Sequence, residues 1–205
     1  MARPKRKERE LEQRRRAIVR AAAGVFARQG FAATSMQEIA SSAGYGASSL
    51  YAYFANKQAI LEAVIGSVVD EAPALYDVVI PDGLTLRQKL ELLLHHQFAW
   101  TEEHRDAFLF LLQRRSSAIA HQNEPDLLSA HVHRMGRWFG EHATPEDSPL
   151  PPETLAVSLT GLALAWFHQW IRDGGQGSYR QYVTPVLDMF LDGATGANPP
   201  RQENA

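Results

Sequence analysis

The chain has 205 residues, 45% of them hydrophobic and 21% charged, with 21 Lys and Arg against 23 Asp and Glu and no cysteine. Such a length holds one small and one larger domain with a sizeable core, and the lack of cysteine excludes disulfides, thiolate catalysis and Cys-based zinc sites while fitting a reducing cytoplasm. The near-neutral total hides an asymmetry: residues 1–57 carry eleven Lys and Arg against four acids, and residues 58–205 carry ten against nineteen, so the first end is suited to phosphates.

The chain opens on ARPKRKERELEQRRR, a charge run that has no apolar stretch of a signal peptide and contains acids, unlike a transit peptide. Residues 1–12 are expected to be a basic arm. Such a run is either an idle solvated tail or an arm that lays Arg3, Lys5 and Arg6 along a DNA backbone or in a minor groove. Ile18, Ala21, Ala22, Val25 and Phe26 then recur at helical spacing, and Gly30 can end that helix in a positive-φ conformation. Thr34 with Gln37 reads as a capping box that starts a short second helix, with Met36, Ile39 and Ala40 facing inward and an end near Ala43. Gly44 permits a sharp turn. Ala47 to Phe54 is predicted as a third helix that buries Leu50 and Phe54 and presents Ala47, Ser48, Ser49, Tyr51 and Tyr53. Asn56 is placed to cap a fourth helix beginning at Lys57, whose ammonium could reach a phosphate. Two short helices around a glycine turn are the layout of a helix-turn-helix DNA reader.

Beyond residue 57 the pattern is helical, broken by proline and glycine. A long helix is expected from Lys57 to about Tyr76, a turn at Pro81-Asp82-Gly83, and a second capping box at Thr85 and Gln88 starting a helix to about Glu102. Helices over Arg105–Ala118 and Pro125–Glu141 follow, then a proline- and acid-rich loop from Ala143 to Pro152. Helices Glu153–Asp173 and Tyr179–Leu191 close the fold, Pro185 either kinking the last one or marking its true start. Residues 194–205 read as a disordered tail. The apolar run Leu155 to Ile171 is too short and too interrupted by polar residues for a membrane span, so no membrane partner is expected.

Three fragments, F-x-x-x-G-F-x-x-T-S, I-A-x-x-A-G and S-L-Y-x-Y-F-x-N-K, follow one another from Phe26 to Lys57. In order and spacing they resemble the DNA-binding domain of the TetR/AcrR family of bacterial transcriptional regulators, over roughly residues 13–60. The resemblance implies an all-α fold and a homodimer, with an N-terminal three-helix helix-turn-helix domain at 13–60 and a helical effector-binding and dimerisation domain at 61–193. Gly46 and Ala47 stand where the family pattern has a small polar cap and a basic residue. Double-stranded DNA with a palindromic operator is the implied partner, contacted through Thr34, Ser35, Tyr45, Ala47, Ser48, Ser49, Tyr51, Tyr53, Lys57 and the basic arm. Serines are not bidentate base readers, so direct readout is expected to be modest, with Tyr51 and Tyr53 hydroxyls on phosphates. The opposing possibility for Tyr51 is that its ring packs inside the small domain.

In the larger domain, aromatic residues concentrate at predicted core positions. His96, Trp100, Phe108, Leu111, Trp138, Trp166, Phe167 and Trp170 are the candidate ligand-binding set, an apolar pocket with polar groups nearby suited to a small aromatic or lipophilic effector. Each taken alone is equally a core residue. On the 153–173 helix, Leu155, Leu159, Leu162 and Trp166 share one face while Val157, Leu164, Phe167 and Ile171 fill much of the rest, so the helix needs two partners. A homodimer through helices 153–173 and 179–191 supplies the second, and two-fold symmetry places two reading heads on successive major grooves. His131 and His133 point apart and His96 and His104 lie two turns apart, so no metal site is expected. No catalytic motif, Walker loop or dinucleotide fingerprint is present, so no catalytic residue and no cofactor is assigned. The expected function is a cytoplasmic, ligand-responsive, sequence-specific DNA-binding regulator, a repressor by analogy with the family. Its rivals are a nonspecific architectural DNA binder and a helical enzyme with an unrecognised site.

Overall fold

The computed structural model describes the backbone of residues 3–115 and 126–194 and the side chains of 8–114 and 126–191. The side chains of Arg3, Lys5 and Arg6, the end of the helix expected over 105–118, and the tail from residue 195 lie outside the described residues. The α-helices are α1 (Arg3–Ala33), α2 (Met36–Ser42), α3 (Ala47–Leu50), α4 (Lys57–Val69), α5 (Leu86–Glu103), α6 (Arg105–Arg115), α7 (Leu127–His142), α8 (Pro152–Arg172) and α9 (Val183–Ala194), with no strand among the described residues. They form two compact units, Met1–Glu71 with His104–Pro125, and Ala72–Glu103 with Asp126–Ala205.

In the first unit α1 buries Ile18, Ala22, Ala23, Val25 and Phe26. Its first turns replace the expected arm: from Arg3 the backbone is helical. Proline is tolerated in a first helical turn, and the following Arg, Lys, Glu, Gln and Leu are strong helix formers, helped by the Arg16–Glu12 pair at 3.1 Å and i,i+4 spacing. The helix bends at Gly30, φ +79°, a conformation that side-chain-bearing residues rarely adopt.

The capping box of α2 is displaced by one residue from the expected Thr34–Gln37. Ser35 is the N-cap: its Oγ accepts from Glu38 N at 3.2 Å, and the Glu38 carboxylate accepts from Ser35 N at 2.7 Å and Ser35 Oγ at 2.8 Å. An ionised carboxylate is a stronger acceptor than the Gln37 amide and is favoured by the positive helix end. Those bonds, the Ser35 hydroxyl first, hold Glu38 below the usual carboxylate range. Thr34 is buried instead, and its Oγ1 donates to Gly30 O at 2.7 Å.

The third helix is shorter than expected. After Leu50 the chain tightens, Ala52 N donating to Ser49 O at 3.2 Å and Tyr53 N to Leu50 O at 3.0 Å, before Asn56 turns extended and caps α4 by accepting from Ala59 N at 2.9 Å. Leu50 and Phe54 are buried as expected. The fourth helix ends at Val69 rather than near Tyr76: Pro73 has no N–H to continue the ladder and disfavours the helical conformation of Ala72, so Ala72–Tyr76 is a 3-10 turn.

Helix α6, distant in sequence, completes this unit against α1 and α4. Phe110 lies 5.3 Å from Phe26, ring centre to ring centre. A Cβ at Gly24 would stand 2.9 Å from Asp106 Oδ2 at the end of its side chain, so a larger residue there would push that carboxylate aside. Past residue 60, α4 to its end and α6 both fall in the same compact unit as the helix-turn-helix segment.

The second unit packs α7 on α8 and α5 on α9. Thr85 and Gln88 form the expected box, Gln88 N donating to Thr85 Oγ1 at 3.3 Å and Thr85 N to Gln88 Oε1 at 3.0 Å. Pro185 lies in the first turn of α9, after a 3-10 turn at Tyr179–Tyr182, so it marks a start rather than a kink. On α8 the core face is Leu155, Ala156, Leu159, Phe167 and Trp170, with Leu162 and Trp166 only half-buried. The turn between α8 and α9 is pinned by Trp170 Nε1 donating to Gln176 O at 3.2 Å and Tyr179 Oη donating to Ala163 O at 2.6 Å.

Lys57 does not extend into solvent. Its Nζ donates to Phe31 O at 2.7 Å, Thr34 O at 2.5 Å and Ala32 O at 3.4 Å, and sits 4.5 Å from the Phe31 ring centre. Hydrogen bonds to a charged group are worth about 1.5–3 kcal/mol. Lys57→Met keeps the stem and removes the ammonium, and it is expected to cost about 2 kcal/mol, read as a lower urea midpoint by circular dichroism; an unchanged midpoint would show that water replaces the ammonium without loss.

Candidate nucleic-acid interface and ligand core

The residues expected at DNA separate into three groups. Ser48 and Ser49 are exposed on α3, Ala47 is half-buried at its start, and Tyr51 is 57% exposed, so its ring does not pack inside the unit. Tyr45 and Tyr53 are half-buried and face one another with ring centres 6.1 Å apart. These six form one surface. Ser35 is exposed at the start of α2, but its hydroxyl is already donated to Glu38. Thr34 and Lys57 form the third group and are corrections: the buried Thr34 hydroxyl is donated to Gly30 and the Lys57 ammonium to three carbonyls, so both shape the turn from within.

Two basic side chains beside this surface escaped the motif. Arg14 is fully solvated, and its guanidinium is stabilised first by a hydrogen bond with the Tyr53 hydroxyl, which raises its pKa further. Arg15 lies over the Phe54 ring, 4.9 Å from its centre, a cation–π arrangement. The signal was present in sequence as the RRR run, but its register relative to α3 depends on how α1 crosses that helix.

The eight candidate ligand residues are divided between the two units. Phe108 and Leu111 belong to the first unit. In the second, Trp138 stacks on His142 at 4.4 Å and meets Phe139 edge-on. Phe167 and Trp170 gather around Tyr179, with Phe98 stacked on the same tyrosine at 4.2 Å, and Trp166 stacks on Tyr182 at 4.9 Å. Trp100 is half-buried, and His96 is exposed with Nε2 3.1 Å from Ala74 O. Helical spacing placed these side chains inward without saying which neighbours they meet.

A polar cluster inside this unit was not anticipated as such. Tyr76 Oη is 2.9 Å from His131 Nδ1 and 3.0 Å from His131 O. With a single proton, the hydroxyl satisfies both by donating to the carbonyl and accepting from Nδ1–H, which leaves Nε2 an acceptor. Gln97, 6% exposed, lies beside Tyr76, and its side chain bonds the Tyr76 hydroxyl, working against the upward push of burial there. Burial, then the nearby Arg134, pushes His131 down to about 4, and burial pushes the Tyr76 hydroxyl up. The cluster is neutral near pH 7. A polar residue standing in register with Leu90, Leu93 and Leu94 was the signal available in sequence.

Residues 18–64 match the family model described as bacterial regulatory proteins, tetR family. The HTH-type transcriptional repressor KstR2 of Mycolicibacterium smegmatis is 30% identical over 188 residues, covering 89% of this chain and 91% of that protein. A TetR-like transcriptional regulator from Rhodococcus sp. RHA1 superposes with a TM-score of 0.64 at 23% identity, over 88% of this chain and 94% of that one. AibR, solved with isovaleryl coenzyme A and operator DNA, superposes at 0.60 and 20% identity over 89% and 98%.

Arg14→Ala is expected to weaken DNA binding by a similar factor on any sequence and to lower the slope of log affinity against log salt by about 1; anisotropy titrations across a salt series measure it, and an unchanged slope would remove Arg14 from the interface. His131 gives a pH dependence. Its folded value of about 4 lies below the usual 6.5, so between those values the unfolded chain binds the extra proton and stability falls as pH drops, levelling off below 4. The loss amounts to about 3 kcal/mol at most. Urea midpoints between pH 7 and 4 should decline in the native chain and decline less in His131→Gln; parallel curves would contradict the assignment.

Proposed function

The chain belongs to the TetR family of bacterial transcriptional regulators, and from that premise we propose that it is a cytoplasmic repressor that leaves its operator when a small, largely apolar effector binds the second unit. The observation that carries the DNA half is the exposed surface of Ser48 and Ser49 on a one-turn α3 and of Tyr51 just after it, flanked by Arg14. Tyrosine and arginine there bond phosphates and fix register, while the short serines leave room for the backbone to approach the groove. Specificity then comes from contact geometry and groove shape more than from bidentate base pairs.

The effector half is supported by the aromatic interior of the second unit and by AibR, whose solved complex joins operator DNA with an acyl thioester. An effector shifts occupancy of the operator only through unequal affinity for the two states. The homodimer is supported by apolar side chains left open on α8 and α9, Val157 at 58% and Met189 at 56% exposed. Two copies joined through these helices give the two-fold symmetry that a palindromic site requires.

Fluorescence anisotropy against DNA from upstream of the protein's own gene, beside scrambled DNA and a single half-site, tests the proposal at two salt concentrations. Tighter binding to the native fragment that survives added salt, with at least a tenfold loss on the half-site and on Tyr51→Ala, is the expected result. Equal, salt-labile binding to all three fragments would identify a nonspecific architectural binder instead.

A further inference from the structure

The reading surface lacks the side chains that identify bases through paired hydrogen bonds. From Ile39 to Ala55, a stretch that holds the rest of α2, all of α3 and the turn after it, there is no Arg, Lys, His, Asn, Gln, Asp or Glu. In the major groove guanine is read by bidentate Arg or Lys, adenine by Asn or Gln, and cytosine by a carboxylate, so this stretch has no reader for any of the three. Ser48 and Ser49 are exposed, but a serine hydroxyl both donates and accepts and is satisfied by any base. The remaining feature of a base edge is the C5 methyl of thymine, which apolar contact detects.

The apolar group on this surface is the ring of Tyr51. It follows α3 directly with helical backbone angles, φ −64° and ψ −18°, and four positions after Ala47 it lies on the same face as that residue's methyl. Leu50 and Phe54 on either side of it are buried, whereas Tyr51 is 57% exposed. Tyr53 is half-buried against Tyr45 and bonded to Arg14. Displacing water from an exposed ring by an apolar partner is favourable. We propose that Tyr51 is the specificity-determining residue of the DNA-reading unit and that its ring packs on a thymine methyl in the major groove. This rests on the operator reading given above and names the base feature that the surface detects. The hydroxyl, at the far end of the ring, stays available to a phosphate. Ring and hydroxyl then carry different parts of the binding, the first dependent on the methyl and the second blind to sequence.

The test begins with the duplex that the full-length protein selects from a random DNA library. Its affinity is compared with that of the same duplex carrying deoxyuridine in place of thymine, which removes the methyls and keeps every hydrogen-bond donor and acceptor, so that readout through an amide such as that of Gln37 is unaffected. The expected result is a loss of at least fourfold on the substituted duplex, since one methyl left without burial accounts for about fourfold. Single substitutions should place that loss at one or two thymines of each half-site. Tyr51→Phe should weaken binding to both duplexes alike and keep the discrimination; Tyr51→Ala, its fold checked by circular dichroism, should bind both within twofold of each other. A loss below fourfold in the native chain, disappearance of the discrimination in Tyr51→Phe, or an equal loss in the native chain and Tyr51→Ala would each overturn the proposal, the last by assigning the effect to groove shape, which the methyls also influence. A selected sequence whose affinity ignores the methyls removes only this assignment; a library that converges on no sequence removes the operator reading itself, and the role of Tyr51 with it.

Discussion

The DNA-reading unit depends on one ammonium group. Lys57 opens α4, and the carbonyls it binds belong to Phe31, Ala32 and Thr34, after the bend in α1. The segment from residue 34 to residue 56, which holds α2, α3 and the exposed serines and tyrosines of the reading surface, is thereby closed at its base. Carbonyls released by the Gly30 bend have no following turn to bond them, and a cation satisfies several at once while lying over the Phe31 face. The fixed base matters because α3 is a single turn with no side-chain cap at Gly46. So short a helix has little stability of its own, and its direction is set by the buried Leu50 at its end, by Phe54 in the turn beyond it and by the closure below them.

That economy has an electrostatic side. Helix N-termini attract phosphate, yet at α2 the ionised Glu38 carboxylate occupies that position, bonded twice by Ser35, which lowers its pKa further. A phosphate at the same helix end meets a like charge and a serine hydroxyl already donated. Positive charge is supplied from another element, by Arg14 and Arg15 on α1, each held against an aromatic of the 51–54 turn. The reading surface is thus assembled from two elements, neither of which carries both shape and charge.

Local chemistry was legible in the sequence and tertiary choices were not. The positive φ of Gly30 and Gly44, the Asn56 cap and the Thr85 box each follow from residues within four positions, and all stand in the structure. The T-S-M-Q-E run offered two overlapping boxes, and only the greater acceptor strength of a carboxylate separated Ser35–Glu38 from Thr34–Gln37. Lys57 was correctly placed in a first turn, but whether its ammonium turned to solvent or to carbonyls depended on the path of a chain segment 26 residues earlier. The same holds for α6, whose Phe110 meets Phe26 in a way periodicity cannot show, and for the aromatics of the second unit, where Phe98, Phe167 and Trp170 meet around a tyrosine from another element.

In the second unit most buried polar atoms close on themselves: Tyr179 to a carbonyl of α8, Trp170 to the glycine turn, Tyr76 to His131. Each such pairing deepens one arrangement of the helices and gives a ligand nothing to add.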